Sequence, residues 1–290
     1  MHAGLALLLL AGLAWADPPR GLSARDGWPR TGEPIAFVVH GINPVHSDLD
    51  PLIEDLRGRG FRVLRFVYDD RADLDASARG FAHMIGAIAR GSQPSRIAVV
   101  AHSMGGLVSR RALSADHGLG ALGLPIRLFT VASPFGGFRS ANWARADFGL
   151  GPAVYDDLGT RSRFISRPGA LAPNVSHVKV ETDERGKTRA GESDDKVPLE
   201  SQVQERVDAA ACARHRLNLG HVGSITSEGQ VPSALRALLS RYVGRRRAPL
   251  GPGLHDPLRD PARVGEPQAQ PEPERRRRLG ARHRVGPRRR

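Results

Sequence analysis

Short, wholly apolar runs alternate along this chain with longer stretches in which apolar residues recur every three or four positions. Pro34-Ile35-Ala36-Phe37-Val38-Val39 is continuous and β-rich, the pattern of a strand covered on both faces. It ends at His40-Gly41. Asp50 followed by Pro51 reads as an N-cap with proline at the first helical position. Leu52, Ile53 and Leu56 give that helix its apolar face. Phe61 to Val67 alternates as a second strand, and Phe81, Ile85 and Ile88 mark a helix. Ile97 to Val100 is a third strand, and Leu107, Val108 and Leu113 suit the helix after it. Ile126 to Ala132 is a fourth strand and Val175 to Glu181 a weaker fifth. Leu235, Leu238, Leu239 and Tyr242 give a last amphipathic helix. Strands and helices in this order predict right-handed crossovers, hence an α/β fold with a mostly parallel sheet flanked by helices.

This pattern covers residues 30–244. Within it, the stretch 133–173 is too long for a simple connection and carries Phe135, Phe138, Trp143, Phe148 and Tyr155, so it is expected to form a cap or lid. The two ends differ from the body. Residues 1–16 combine an apolar run with Ala14-Trp15-Ala16, the pattern of a signal peptide cleaved after Ala16. Export to a periplasm or out of the cell follows as an expectation. No apolar run reaches about 18 residues, so no transmembrane helix is predicted.

Charge changes the picture mainly at the C-terminus. The chain has 290 residues and a formal net charge of +13. Residues 245–290 hold 14 arginines against five carboxylates, with eight prolines and no helical or strand period. Such a tail is expected to be disordered and suited to contact with an anionic surface. Export and the lack of interleaved aromatics argue against nucleic acid as its partner. At 40% hydrophobic the chain as a whole can build a core. A lone Cys212 excludes a disulfide framework and any cysteine-cluster metal site.

Candidate chemistry lies after the third strand. In Ala101-His102-Ser103-Met104-Gly105-Gly106 a serine sits at a predicted strand-to-helix turn, with small residues two places before and two after it. A nucleophilic serine needs such a turn, because its Oγ must stand above the sheet edge where a base can reach it. The motif is G-x-S-x-G with alanine first and a second glycine behind.

This segment resembles the nucleophile elbow of the α/β-hydrolase superfamily, in particular its secreted bacterial lipases and esterases. The resemblance covers roughly Ile35 to Val243. It implies an α/β-hydrolase fold with Ser103 as nucleophile. His40-Gly41-Ile42-Asn43 resembles the family's oxyanion segment, which makes the backbone amides of Ile42 and Met104 the oxyanion hole. His40, Gly41 and Gly105 support these motifs. Asp194-Asp195-Lys196-Val197-Pro198 resembles the D-x-x-V-P loop that supplies the triad acid. That match selects Asp194, with Asp195 next and Asp183, at the end of the fifth strand, third. His221, in a glycine-flanked loop before the last helix, takes the position of the base. His215 competes with it, whereas His102 inside the elbow is a neighbour only. The order Ser103, Asp194, His221 is that of the family. Ser133-Pro134-Phe135-Gly136-Gly137 resembles a turn near the acyl pocket.

The resemblance implies hydrolysis of a carboxylic ester or lipid through an acyl-enzyme, with no metal or organic cofactor. The same triad could serve amide hydrolysis or acyl transfer, and a hydrolase-fold protein could act as a non-catalytic binding module. Gly186-Lys187-Thr188 does not make a phosphate-binding loop, because Glu181 stands where the earlier glycine is needed.

Overall fold

The computed structural model describes residues 27–42, 49–144, 152–184 and 196–244. The N-terminal apolar run, Asp194, Asp195, Phe148, the side chain of Trp143 and the arginine-rich tail lie outside the described residues. The elements run β1 (Ile35–Val39), α1 (Asp50–Gly58), β2 (Arg62–Phe66), α2 (Leu74–Ser92), β3 (Ile97–His102), α3 (Met104–Ala112) and β4 (Ile126–Val131). There follow α4 (Ala141–Ala144), α5 (Val154–Leu158), α6 (Arg163–Ser166), β5 (Val175–Thr182), α7 (Leu199–Gln202), α8 (Glu205–Ala210), β6 (Ala213–Leu217) and α9 (Ser233–Tyr242).

Among the described residues, six strands form one sheet in the order β2-β1-β3-β4-β5-β6, and every pairing is parallel. The apolar runs are continuous because both faces are covered. Ile35, Phe37 and Val39 point to a core with α2 and α3, whereas Ala36 and Val38 point to one with α1 and α9. On the first face Phe81 meets Phe37 edge-on at 5.3 Å and stacks on Phe66 at 4.4 Å, the offset geometries that aromatic rings favour. On the second face Leu52, Ile53 and Leu56 of α1 pack with Leu235 and Leu239 of α9.

Chain direction across the sheet reverses at β1. From β1 the chain goes to β2 on one side and returns to β3 on the other. The crevice at the carboxyl ends of β1 and β3 is therefore the place where an open α/β sheet binds its ligand.

Two expectations need correction. Asp50 does not cap α1 from outside. It is the first residue of the helix, behind Leu49, and its carboxylate pairs with Arg65 at 2.8 Å. The fifth strand is not weak: β5 is eight residues long, and its last six are buried. The structure also adds a strand that no apolar period marks: β6, at the sheet edge, alternates half-buried and exposed residues in Ala213-Arg214-His215-Arg216-Leu217.

The weak hydropathy of β5 has a structural cause. It carries a buried polar row, His177, Lys179 and Glu181. Lys179, 1% exposed, donates to Glu181 at 2.9 Å and to Asp208 of α8 at 2.5 Å. Arg214 of β6 reaches Glu181 at 3.0 Å. Burial alone would raise the Glu181 pKa, but the hydrogen bonds and charges of Lys179 and Arg214 outweigh it and hold the carboxyl below its usual range. His177 is bonded to Thr130 Oγ1 at 2.9 Å. Its pKa is pushed down to about 3, first by burial and then by the charges of Arg110 and Lys179.

The described part of 133–173 links β4 to β5 through short helices. Phe135, Val154, Leu158, Phe164 and Ile165 join the core beside α3, and Tyr155 packs against it half-buried.

Candidate active site

The site is assembled from two strand ends and one distant loop. At the end of β3, Ser103 adopts φ 54° and ψ −131°, a left-handed conformation that costs a non-glycine residue about 1–3 kcal/mol. Close packing holds it there. Its N–H donates to Val131 O at 2.9 Å, and its own carbonyl accepts from Gly106 N at 2.9 Å. Behind the serine, a Cβ on Gly105 would collide with the carbonyl oxygens of Val39 and His40, and one on Gly106 with the Ser133 side chain. The small residues of the motif thus let α3 start directly against the end of β1. Ala101, first residue of the motif, is buried in β3 opposite Val39.

The structure brings His221 to Ser103. His221 Nε2 lies 3.0 Å from Ser103 Oγ across a separation of 118 residues. Both are buried, so the pair is held out of bulk water. The backbone carbonyl of His221 accepts from His102 Nε2 at 3.0 Å and from Ser224 Oγ at 2.7 Å. His102 is therefore more than a neighbour in the elbow: its ring, 4.6 Å from that of His221, helps to fix the His221 loop. His215 is not at the site. It lies on β6 and bonds the Tyr242 hydroxyl at 2.9 Å.

At the end of β1, His40 Nδ1 lies 2.7 Å from Gly41 O. A carbonyl only accepts, so Nδ1 carries the proton and Nε2 is left to face the Tyr68 amide at 3.5 Å. Burial lowers the His40 pKa, against smaller opposing effects of the Gly41 carbonyl and the Asp70 charge, and so favours this neutral tautomer. Tyr68 stacks on the ring at 4.4 Å and donates its hydroxyl to His40 O at 2.9 Å. Sequence reading missed Tyr68, which follows the second strand outside any motif. The turn that carries Ile42 is thereby braced by the segment just after β2.

Gly41, Ile42, Ser103, Met104 and His221 line one pocket of about 540 Å³. Pro134, Phe138 and Leu158 from the β4–β5 connection make its wall mostly apolar. Phe135, by contrast, turns away from the pocket and meets the buried His177 ring edge-on at 5.7 Å. Lys196, which directly follows Asp195 in the chain, also lines the pocket, as does Val197. The third acid candidate, Asp183, directly follows β5 and is buried, with its N–H bonded to Leu217 O at 3.0 Å. No group of side chains among the described residues is arranged to hold a metal ion.

A serine hydroxyl that can donate to a buried imidazole in a largely apolar pocket can support nucleophilic attack on a carbonyl. No family model matches the chain, and no curated protein is similar to it in sequence. Solved structures are similar to it. One is the mature form of the Bacillus licheniformis lipase BlEst2, 17% identical, with a TM-score of 0.52 over 68% of this chain and 88% of that one. Its propeptide form is 16% identical with a TM-score of 0.57, over 77% of this chain and 54% of that one. A metagenomic carboxyl esterase, MGS0156, is 18% identical with a TM-score of 0.51, over 75% and 77% of the two chains. Sheet order, elbow and these likenesses agree: the chain has the α/β-hydrolase fold.

Proposed function

We propose that this protein is a serine hydrolase of carboxylic esters. The observation that carries the proposal is the 3.0 Å contact between Ser103 Oγ and His221 Nε2 in the wall of a largely apolar pocket. His221 takes the Ser103 proton as Oγ attacks the ester carbonyl. The amides of Ile42 and Met104 hold the oxygen on which negative charge develops. His221 returns the proton to the leaving alcohol, and water activated by the same imidazole hydrolyses the acyl-enzyme. Asp194 is the acid that orients His221. Its support is the D-x-x-V-P spacing and the position of Lys196 and Val197 at the pocket wall. The names of the structural neighbours, a lipase and a carboxyl esterase, favour esters over amides.

The test is turnover of p-nitrophenyl esters from acetate to palmitate by the wild type, Ser103→Ala and His221→Ala. Turnover that disappears in both variants supports the proposal, and equal rates in all three proteins overturn it. Asp194→Asn, Asp195→Asn and Asp183→Asn then identify the acid. Asp194→Asn is expected to lose on the order of 10⁴-fold in kcat, because the imidazole is left in the wrong tautomer.

A further inference from the structure

A second cavity, of about 840 Å³, opens where the end of α3, the segment from Pro168 to Val175 and α8 meet. It shares no lining residue with the pocket around Ser103. Arg110 sits two turns along α3 from Ser103, about 10 Å down the helix axis. Five arginines line the cavity, Arg110, Arg111, Arg163, Arg167 and Arg206, and a single carboxylate, that of Asp116, stands with them. The rest of the wall is mainly alanine, proline and aliphatic side chain.

Four of the five arginines form no ion pair with any described residue. Arg110 is 2% exposed, and its Nη1 donates to the carbonyls of Pro168 at 2.5 Å and Gly169 at 3.1 Å. Its Nε has no hydrogen-bond partner, and no carboxylate of the described residues pairs with it. Burial, and then the charge of Arg111, bring its pKa down to about 10, so it remains a cation at neutral pH. Arg111 has a partner, Asp75 at 3.0 Å. Arg163, Arg167 and Arg206 are exposed and form no ion pair with any described residue.

A buried guanidinium without a counter-charge is costly, and like charges gathered around it add repulsion. An anion in the cavity would relieve both. The guanidinium fork matches two oxygens of one phosphoryl group, and a cluster of this size exceeds what one singly charged carboxylate can balance. We propose that the cavity binds a small molecule through two or more phosphoryl groups, at a site separate from Ser103. The groups belong to a free pyrophosphate-like ligand or to a lipid headgroup that carries two phosphates.

The test is calorimetric titration of the full chain with inorganic pyrophosphate and, separately, with phosphatidylcholine vesicles containing cardiolipin. Three proteins are compared: the wild type, the combined Arg163→Gln, Arg167→Gln and Arg206→Gln variant, and a control with Arg30→Gln, Arg79→Gln and Arg90→Gln. The control residues are exposed and outside the cavity. All three proteins share the C-terminal arginines, so binding there cancels in the comparison. The cavity variant is expected to bind at least about tenfold more weakly, and the control like the wild type. Weakening confined to pyrophosphate assigns a free ligand, and weakening confined to the vesicles assigns a lipid headgroup. Equal affinity of all three proteins for both probes overturns the proposal. So does the absence of binding, or an equal loss in the control. Circular dichroism and the thermal midpoint confirm that each variant is folded.

Discussion

Gly41→Ala tests how tightly the two strand ends are packed at the site. A Cβ on Gly41 would stand 2.7 Å from Ser103 Cβ and 3.2 Å from Ser103 Oγ. Carbon atoms pack comfortably at about 3.5–4.0 Å, so one side must retreat by roughly 1 Å. Ser103 has little freedom to do so, because its strained backbone is held by Val131 and by the close approach of Gly105 to β1. The Gly41–Ile42 turn moves instead and takes the Ile42 amide with it. A misplacement of about 1 Å costs on the order of 10²-fold in rate. A lost oxyanion donor costs about 10²–10³-fold, which agrees. The forced contact costs about 1–3 kcal/mol of stability as well. Steady-state kinetics on p-nitrophenyl butyrate should therefore show kcat reduced about 10²-fold with KM little changed, and urea unfolding should show the stability loss. A folded variant with wild-type kcat would refute both the packing of Gly41 on Ser103 and the role given to the Ile42 amide.

Three further outcomes are expected. Ser103→Gly should abolish ester turnover yet raise the unfolding free energy by about 1 kcal/mol, because glycine relieves the left-handed strain; a less stable variant would show that the serine is not strained. Lys179→Met should cost about 3–5 kcal/mol in urea unfolding, since it leaves the buried carboxylates of Glu181 and Asp208 with only the largely exposed Arg214 between them. A loss within experimental error would show that the ion cluster is not needed. His177 gives a pH dependence. Its folded pKa of about 3 lies below the 6.5 of an unperturbed histidine, so between these values only the unfolded chain binds the proton. Stability should fall by about 1.4 kcal/mol per unit as pH drops from 6.5 toward 3. His177→Phe strands Thr130, which lowers stability equally at every pH, but it should remove that slope from the wild-type-minus-variant difference. Parallel pH profiles would disprove the assignment.

The parts of the fold that can be read from the chain are those in which each residue's environment repeats locally. Ile35 to Val39 and Ile97 to Val100 are apolar without interruption because helices cover both faces, and Phe81, Ile85 and Ile88 recur because one side of α2 is buried. The elbow is equally local: Ser103, Gly105 and Gly106 are neighbours in sequence, and their spacing expresses a steric requirement satisfied within one turn. β6 has no comparable signature, since an edge strand is wetted along much of its length. β5 read as weak because hydropathy counts Lys179 and Glu181 as surface residues, whereas their partners Asp208 and Arg214 lie about thirty residues further on.

At the site, sequence alone determined which residue types could act: a serine in a tight turn between small residues, a histidine in a glycine-flanked loop and a glycine just after β1. The family resemblance favours His221 over His215, six residues earlier, but local sequence does not show which of the two reaches the serine. That choice belongs to the tertiary structure. Pairing of β6 with β5 commits His215 to Tyr242, while the loop beyond β6 carries His221 across the sheet edge to Ser103. The same holds for Tyr68 behind His40 and for the arginines around the second cavity, which come from α3, α6, α8 and the residue just after α6. Local periodicity reports what each element buries. Only the packed sheet decides which distant side chains share a low-dielectric space, and their chemistry depends on that.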